Sequence, residues 1–434
     1  MSRQRRVVLV GCGNRGQMFG QFCRECGDRV KLVAVAEPRE DYRAREAERN
    51  DLPPEHAYES FEQALGPDAP PADLAIIAAS DQAHHGAAVA ALRRGMDLLI
   101  EKPVAHDPVL TVHLKLLAEQ LGRTVLVQHE LRYSPFFQEV RKVVQSGCLG
   151  QVYSYTHTEH VEFWHMTHSF VRGPYGRQED SNPMIVAKCC HDLDLIPWIL
   201  GDRVTKVSSF GRLDHFVRAN KPDGAPDRCT DGCPLGDTCI HNAATFYLGE
   251  RTDWPVRMVG TDMSLEGRRQ RLHDGPLSRC VFNGDNTVVD HQTVLMETER
   301  GTLCTLTMQG FSAGEECGRK IRLDGTAGTL RGDMGRGIID VYRHWTGPRG
   351  TETEVETIDL SSLGLGGHGG GDRRLFDAAI EVFCDDSAAP LTPLAGAIES
   401  HLIGWAAEQS RHSDRAVYMA PFRREVQQQA RAML

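Results

Sequence analysis

No apolar run in this chain approaches the ~20 residues that a bilayer-spanning helix requires. Contact with a membrane core is therefore not expected. Positive charge is not in excess either: 49 Lys and Arg stand against 59 Asp and Glu, a net charge of -10. Nucleic acid or an anionic lipid surface calls for clustered Lys and Arg. The short basic stretches Arg3-Gln4-Arg5-Arg6 and Arg268-Arg269-Gln270-Arg271 read instead as solvated faces. A secretory pattern is missing, because the apolar run Val7 to Val10 is cut at Gly11. A cytoplasmic location is expected. Cysteine is not scarce, but the 13 residues are odd in number and mostly scattered, as for reduced, buried thiols in an unexported protein. With 434 residues there is room for at least two domains.

What is present begins with a strand-like run, Arg6 to Val10, leading into Gly11-Cys12-Gly13-Asn14-Arg15-Gly16. A helical pattern follows over Gln17 to Cys26, then a second apolar run, Val30 to Ala36, ending at Glu37. In that context the three glycines have separate tasks. Gly11 permits a tight turn, Gly13 lets a pyrophosphate approach the backbone, and Gly16 allows helix and strand to pack closely. The helix N-terminus offers free N–H groups and the positive end of its dipole to the phosphates. Glu37 is placed to accept hydrogen bonds from ribose hydroxyls and to repel a 2′-phosphate, which favours NAD over NADP; Arg39 and Arg43 nearby soften that preference.

Further strands are expected at Leu74 to Ala79, Asp97 to Ile100 and Thr124 to Gln128, with a helix over Gly86 to Arg94. Alternating strands and helices with short connections predict a doubly wound parallel sheet over residues 1–128. Candidate cofactor contacts are Gly11, Gly13, Asn14, Arg15, Gly16 and Glu37, joined by Ser80, His84, Glu101 and Lys102 near the later strand ends.

The chain resembles the Gfo/Idh/MocA oxidoreductase family. The resemblance is carried by the glycine turn with Glu37, the Ser80 to His84 segment, Glu101-Lys102-Pro103, and His191-Asp192-Leu193-Asp194 followed by Trp198. It implies a second domain, residues 129–434, of α+β type with a large, mostly antiparallel open sheet that closes the active site and often forms the oligomer interface. A homodimer or homotetramer is expected. The resemblance further implies that Lys102 contacts substrate and nicotinamide, that Pro103 follows a cis bond, that His191 is the acid/base for a substrate hydroxyl, and that Asp194 binds or orients beside it. One departure matters. The family's usual Asp-x-Gly-x-His-x-x-Asp becomes Ala187-Lys188-Cys189-Cys190-His191-Asp192-Leu193-Asp194, so the His lacks its upstream Asp and Lys188 stands nearby.

A histidine titrating near neutrality suits removal of a hydroxyl proton, and a lysine suits the developing alkoxide. Lys188, His191, Asp192 and Leu195 are three or four apart, so one helix would present them on one face. The catalytic candidates are accordingly Lys102, His191 and Lys188. The stretch from Glu162 to Tyr175 gathers His165, His168 and Arg172 with aromatics, equipment suited to a sugar, the alternative being a surface loop with a few buried rings. Asp290 and Gln292 alternate with His291 and serve either as substrate partners or as the polar face of an open sheet. The glycine-rich loop 366–372 is a lid carrying His368 or a plain linker. A small carbohydrate or polyol is the expected substrate. Three readings follow: oxidation of a secondary hydroxyl with NAD, a glycosidase that oxidises a ring carbon transiently and restores the cofactor, or a non-enzymatic dinucleotide sensor.

One cysteine group stands apart. Cys229, Cys233 and Cys239 fall within eleven turn-rich residues of an insertion near 210–285, the density of a structural zinc site. The fourth ligand would be His241 or, preferably, Cys280; free thiols or a disulfide are the alternatives. Beyond it, Thr302 to Gln309, Lys320 to Leu323 and Gly325 to Gly332 read as strands, and Asp372 to Phe383 and Leu394 to Arg411 as helices.

Overall fold

The computed structural model describes residues 4–236, 238–345, 353–363, 366–385 and 388–434. Six short apolar runs form the first sheet: β1 (Arg5–Val10), β2 (Val30–Ala36), β3 (Ala57–Tyr58), β4 (Leu74–Ile77), β5 (Asp97–Ile100) and β6 (Val125–Val127). Their order is β3-β2-β1-β4-β5-β6 and every pairing is parallel. Such strands are covered on both faces, which is why they read as unbroken apolar runs: Val7, Val8, Leu9, Ile76 and Ile77 are wholly buried. The helix after β1 spans Asn14–Glu25 and starts inside the glycine turn, three residues earlier than its apolar period indicates. The helix after β4 runs Asp81–Arg93, with Ser80 at its N-cap position, so the His84 segment lies in its first turn and not before it.

The second sheet has nine strands: β7 (Val152–Glu162), β8 (Val204–Arg212), β9 (His291–Thr298), β10 (Leu303–Ser312), β11 (Gly318–Gly325), β12 (Gly328–Asp333), β13 (Ile338–Arg343), β14 (Glu354–Asp359) and β15 (Val417–Tyr418). The order is β14-β13-β12-β11-β7-β10-β9-β8-β15. Only β7 and β10 pair in parallel; the other neighbours are antiparallel. Alternation along the strands separates two faces. One buries Tyr155, His157, Glu159, Val161, Leu306 and Met308 against helices Cys190–Leu200 and Leu394–Ser413. The other carries Phe210, Leu295 and Leu303 in the open, 66%, 43% and 61% exposed.

Two long connections tie the layers together. Helix Gly371–Cys384 returns to the first sheet, where Phe376 packs 5.3 Å from the ring of Phe22 and 6.2 Å from that of Phe19. The insertion between β8 and β9 is mostly turns with two short helices, Ala243–Tyr247 and Leu265–Asp274. Its own core is small, with Ala243, Tyr247, Val256 and Leu272 buried together. It reaches the first domain through Arg257, which donates to Asn14 Oδ1, and through Thr261 and Arg271, which donate to Asp41 at 3.0 and 3.1 Å. No helix of the described residues is long and apolar enough to cross a membrane.

Candidate active site

The glycine turn is a cradle shaped by what a side chain would collide with. Gly11 holds φ +92°, and a Cβ there would stand 2.4 Å from the Ala78 carbonyl oxygen. A Cβ on Gly16 would fall 1.8 Å from the Gly11 oxygen, whereas one on Gly13 would meet nothing closer than Arg39 Nη2 at 3.5 Å. The turn is thus packed behind and open in front. The helix that follows has no side-chain cap, so its first N–H groups are free for phosphate. Glu37, 3% exposed at the end of β2, accepts from Cys12 N at 2.9 Å and from Arg39 Nε and Nη2 at 2.7 and 3.0 Å. Burial opposes its charge, but Arg39 and the Cys12 N–H hold its pKa below the usual carboxylate range. These residues fit a dinucleotide: a cradle only glycine permits, an uncapped helix end, and a carboxylate at the second strand.

Other expected cofactor contacts are held within the protein. Arg15 bridges Glu101 at 2.5 Å and Asp372 at 2.8 Å. Asn14 receives Arg257. Ser80 is exposed at its helix start. His84 clips two strand ends together, Nδ1 lying 2.7 Å from the Pro103 carbonyl oxygen and Nε2 3.1 Å from that of Ala79. That clip steadies the Lys102-Pro103 bond, which is cis.

Beside this cradle a group of buried polar side chains converges from both domains. Lys102 donates to the Ala187 carbonyl oxygen at 3.1 Å. Burial costs its ammonium, yet Cys190, Glu101, Tyr175 and Glu130 around it keep its pKa above the usual lysine value. His191, 3% exposed, has no hydrogen-bond partner on either ring nitrogen. Its Nε2 lies 3.6 Å from Glu130 Oε1. Burial, helped by Lys102, His129 and His368, pushes its pKa well below the ordinary histidine value despite the pull of Glu130. The same Glu130 oxygen lies 3.0 Å from His368 Nδ1, which is also 3.0 Å from Asp372 Oδ2. Against the cost of burial, those two carboxylates raise His368 to about 8. Near neutral pH the pocket therefore holds a neutral His191 and a cationic His368 on either side of one carboxylate.

Sequence reasoning found Lys102, His191 and His368 and missed Glu130. Its available signal was position, one residue past His129 at the end of β6. His165 also belongs here: desolvation, with Lys188, His168, His368 and Lys102 close by, drives its pKa well down, and its ring packs 5.0 Å from Trp254.

Several expected residues are already engaged by other groups of the protein. Lys188 does not share a helix face with His191, because the chain breaks between helices Met184–Ala187 and Cys190–Leu200; its Nζ lies 3.4 Å from Glu159. Asp194 forms a two-pronged pair with Arg132, both contacts 2.6 Å, and so fixes the helix rather than a ligand. His168 Nδ1 pairs with the Tyr247 hydroxyl at 2.7 Å. Arg172 spends its guanidinium on the carbonyl oxygens of Arg279 and His241, both at 2.6 Å. Asp290, wholly buried, accepts from the backbone N–H groups of Asp214 and His215 at 3.1 and 2.7 Å, and Gln292 donates to Glu408 at 2.9 Å. Neither open alternative for this pair holds: both side chains are buried and bonded within the fold instead of lining a polar sheet face.

Among the described residues, two groups of donor atoms lie within 4.8 Å of one another, His129 with Cys190 and His191, and Glu130 with His191 and His368. Both are in this pocket. No three of Cys229, Cys233, Cys239, Cys280 and His241 come that close, so the compact tetrahedron of a bound zinc is not formed by these side chains. They do line one shared cavity.

Residues 5–129 match the oxidoreductase family with the NAD-binding Rossmann fold, and residues 137–331 match the GFO/IDH/MocA C-terminal domain. The chain is 24% identical to the YteT protein of Bacillus subtilis over 341 residues, 75% of each. It is 29% identical to inositol 2-dehydrogenase of Corynebacterium glutamicum over 209 residues, 48% of this chain and 57% of that one. Its fold is that of the WlbA dehydrogenase of Chromobacterium violaceum, solved with NADH and UDP-GlcNAcA (TM-score 0.67, 16% identity, 96% of each chain). An oxidoreductase of Agrobacterium radiobacter, solved with NAD+, L-tartaric acid and magnesium, is similar in the same way (TM-score 0.64, 16% identity, 96% and 99% of the chains).

Proposed function

This chain belongs to the Gfo/Idh/MocA family of NAD-binding oxidoreductases, and on that premise we propose that it oxidises a secondary hydroxyl of a carbohydrate or polyol. The observation that carries the reading is His191: a buried imidazole, held neutral, with both nitrogens free beside the Lys102 ammonium. Bound nicotinamide supplies the acceptor for the hydride that leaves the carbinol carbon. The protein's own part is proton handling. His191 takes the hydroxyl proton, and Lys102 stabilises the oxygen as negative charge grows on it. Glu130 stabilises the imidazolium that forms and links it to His368, whose ring is partly open to solvent. Similarity to inositol dehydrogenases supports the substrate class.

A second reading draws on a separate observation. Two histidines with pKa values pushed in opposite directions flank one carboxylate, providing a base and an acid in a single pocket. A glycosidase that oxidises, eliminates, hydrates and reduces would use both, and would leave NAD unchanged overall. Parallel measurement of NADH and aglycone release on free sugars, sugar acids and aryl glycosides separates the readings. A dehydrogenase accumulates NADH in step with product, whereas the redox glycosidase releases aglycone without it. His191→Ala is expected to lower kcat by about 10²–10⁴ with NAD binding retained. Undiminished turnover in that variant would sink both readings, and so would inactivity of the wild-type protein on every such compound.

We also propose a homo-oligomer built on the outer face of the second sheet. The outward side chains of β9 and β10 are His291, Thr293, Leu295, Glu297, Leu303, Thr305, Thr307, Gln309 and Phe311. A row with one carboxylate and three large apolar groups suits a second copy better than water.

A further inference from the structure

The insertion holds a feature the oxidoreductase chemistry does not use. Cys229, Cys233, Cys239 and Cys280 come from separate turns and line one cavity of about 20 Å³, and none is in a disulfide. Backbone geometry brings them there. Arg228 and Arg279 form an isolated bridge, with Cys229 N donating to Ser278 O at 2.7 Å and Cys280 N to Asp227 O at 2.8 Å, which sets the first and last cysteines side by side. Gly236 N donates to Cys233 O and Cys239 N to Leu235 O, folding the middle two into one knuckle that Asn242 closes on the Gly236 carbonyl at 2.7 Å. His241 lines the same cavity, is 7% exposed, and its Nδ1 has no partner. Arg172, also at the cavity wall, donates through Nη2 to Cys229 Sγ at 3.4 Å.

Energetics point the same way. Phe216, Val281, Phe282, Val288 and Val289 anchor the ends of the insertion in the main core, but its own apolar cluster has only four buried residues, so its middle has little apolar packing to order it. From this shared lining we propose a thiophilic metal centre in the insertion, ligated by the thiolates of Cys229, Cys233, Cys239 and Cys280 once they close in from the positions they hold here, with His241 as the adjoining donor. Its role is structural, since four protein ligands leave no open position for substrate. Zinc and an iron–sulfur cluster share this thiolate chemistry. Zinc would draw the sulfurs to about 3.8 Å apart, given Zn–S distances near 2.3 Å. An iron–sulfur cluster spans them more widely.

The test is metal and acid-labile sulfide analysis of the full-length protein, purified anaerobically without chelators. One equivalent of zinc without sulfide, or iron with matching sulfide, supports the centre and identifies it. Stoichiometric metal should fall to trace in Cys233→Ser and Cys239→Ser and stay unchanged in Cys384→Ser, a thiol outside the cavity. Metal no higher than trace in the wild-type protein overturns the proposal whether or not the variants fold. So does full metal content in a folded Cys233→Ser/Cys239→Ser double variant.

Discussion

Glu37 and His368 show how far single residues set the behaviour of this site. With its carboxylate between the Cys12 N–H and the Arg39 guanidinium, Glu37 both offers acceptors to a ribose and ties up a cation that would welcome a 2′-phosphate. Glu37→Ser releases that cation, and the NADP-to-NAD ratio of kcat/KM is expected to rise at least about tenfold, equivalent to about 1.4 kcal/mol. Fluorescence titration with each dinucleotide checks the binding part. His368 leads to a pH dependence. Its folded pKa, about 8, lies above its ordinary value of 6.5, so the proton it holds stabilises the fold fully below 6.5. That contribution disappears as pH rises through about 8. The urea midpoint of the wild-type protein should fall across this window relative to His368→Gln; parallel curves would contradict the assignment. Glu37 was legible in the sequence because a strand's end fixes its place. Glu130 was not, since its partner His368 lies more than two hundred residues away.

At the scale of elements, helix Cys190–Leu200 shows why pattern reading succeeds in part. The sequence marks a helix there and His191 upon it, but His191, Asp192 and Asp194 fall within about one turn and carry no label saying which faces a ligand. Asp192 turns to the sheet, where His157 Nε2 lies at 2.8 Å and Arg319 Nε at 2.7 Å, with Arg319 also bonded to Glu159 at 2.9 Å. The combined pull of Arg319 and His157 outweighs burial and keeps its pKa far below the usual range. Asp192→Ala leaves Arg319 buried beside one carboxylate instead of two, and should cost roughly 3–5 kcal/mol of stability, read as a lower thermal midpoint and urea midpoint. The break before this helix was invisible for a related reason. No proline or glycine marks the interruption between Ala187 and Cys190, where the Ala187 carbonyl accepts from Lys102 of the other domain.

For the whole molecule, the parallel first sheet and the C-terminal helices follow from periodicity and connection length, whereas the large second sheet was implied by the family resemblance and the strand orders come from the structure. The destinations of long side chains do not follow from periodicity. Arg172 was a fair candidate for a sugar carboxylate until the insertion, whose fold has no periodic signature, took its guanidinium. The outer sheet face is the feature most exposed to test at this scale. Light scattering after size exclusion should give a dimer or tetramer for the wild-type chain, and Phe210→Asp, placing a charge at a 66% exposed position on that face, should move the distribution toward monomer with the melting curve little changed. A wild-type chain that runs as a monomer would remove the proposal.

The bonds from Arg257, Thr261 and Arg271 to Asn14 and Asp41 have a kinetic consequence. Asn14 begins the helix whose free N–H groups suit phosphate, so the insertion of the other domain is tied to the rim of the dinucleotide cradle. If these bonds hold when cofactor is bound, its release is expected to be slower than that of a sugar beside His191, which none of the three bonds spans. Cofactor residence would then outlast many visits by substrate, and the order of binding would be compulsory, cofactor first and last. An enzyme organised in this way spends its cofactor slowly and can return it to its starting state before ever letting it go.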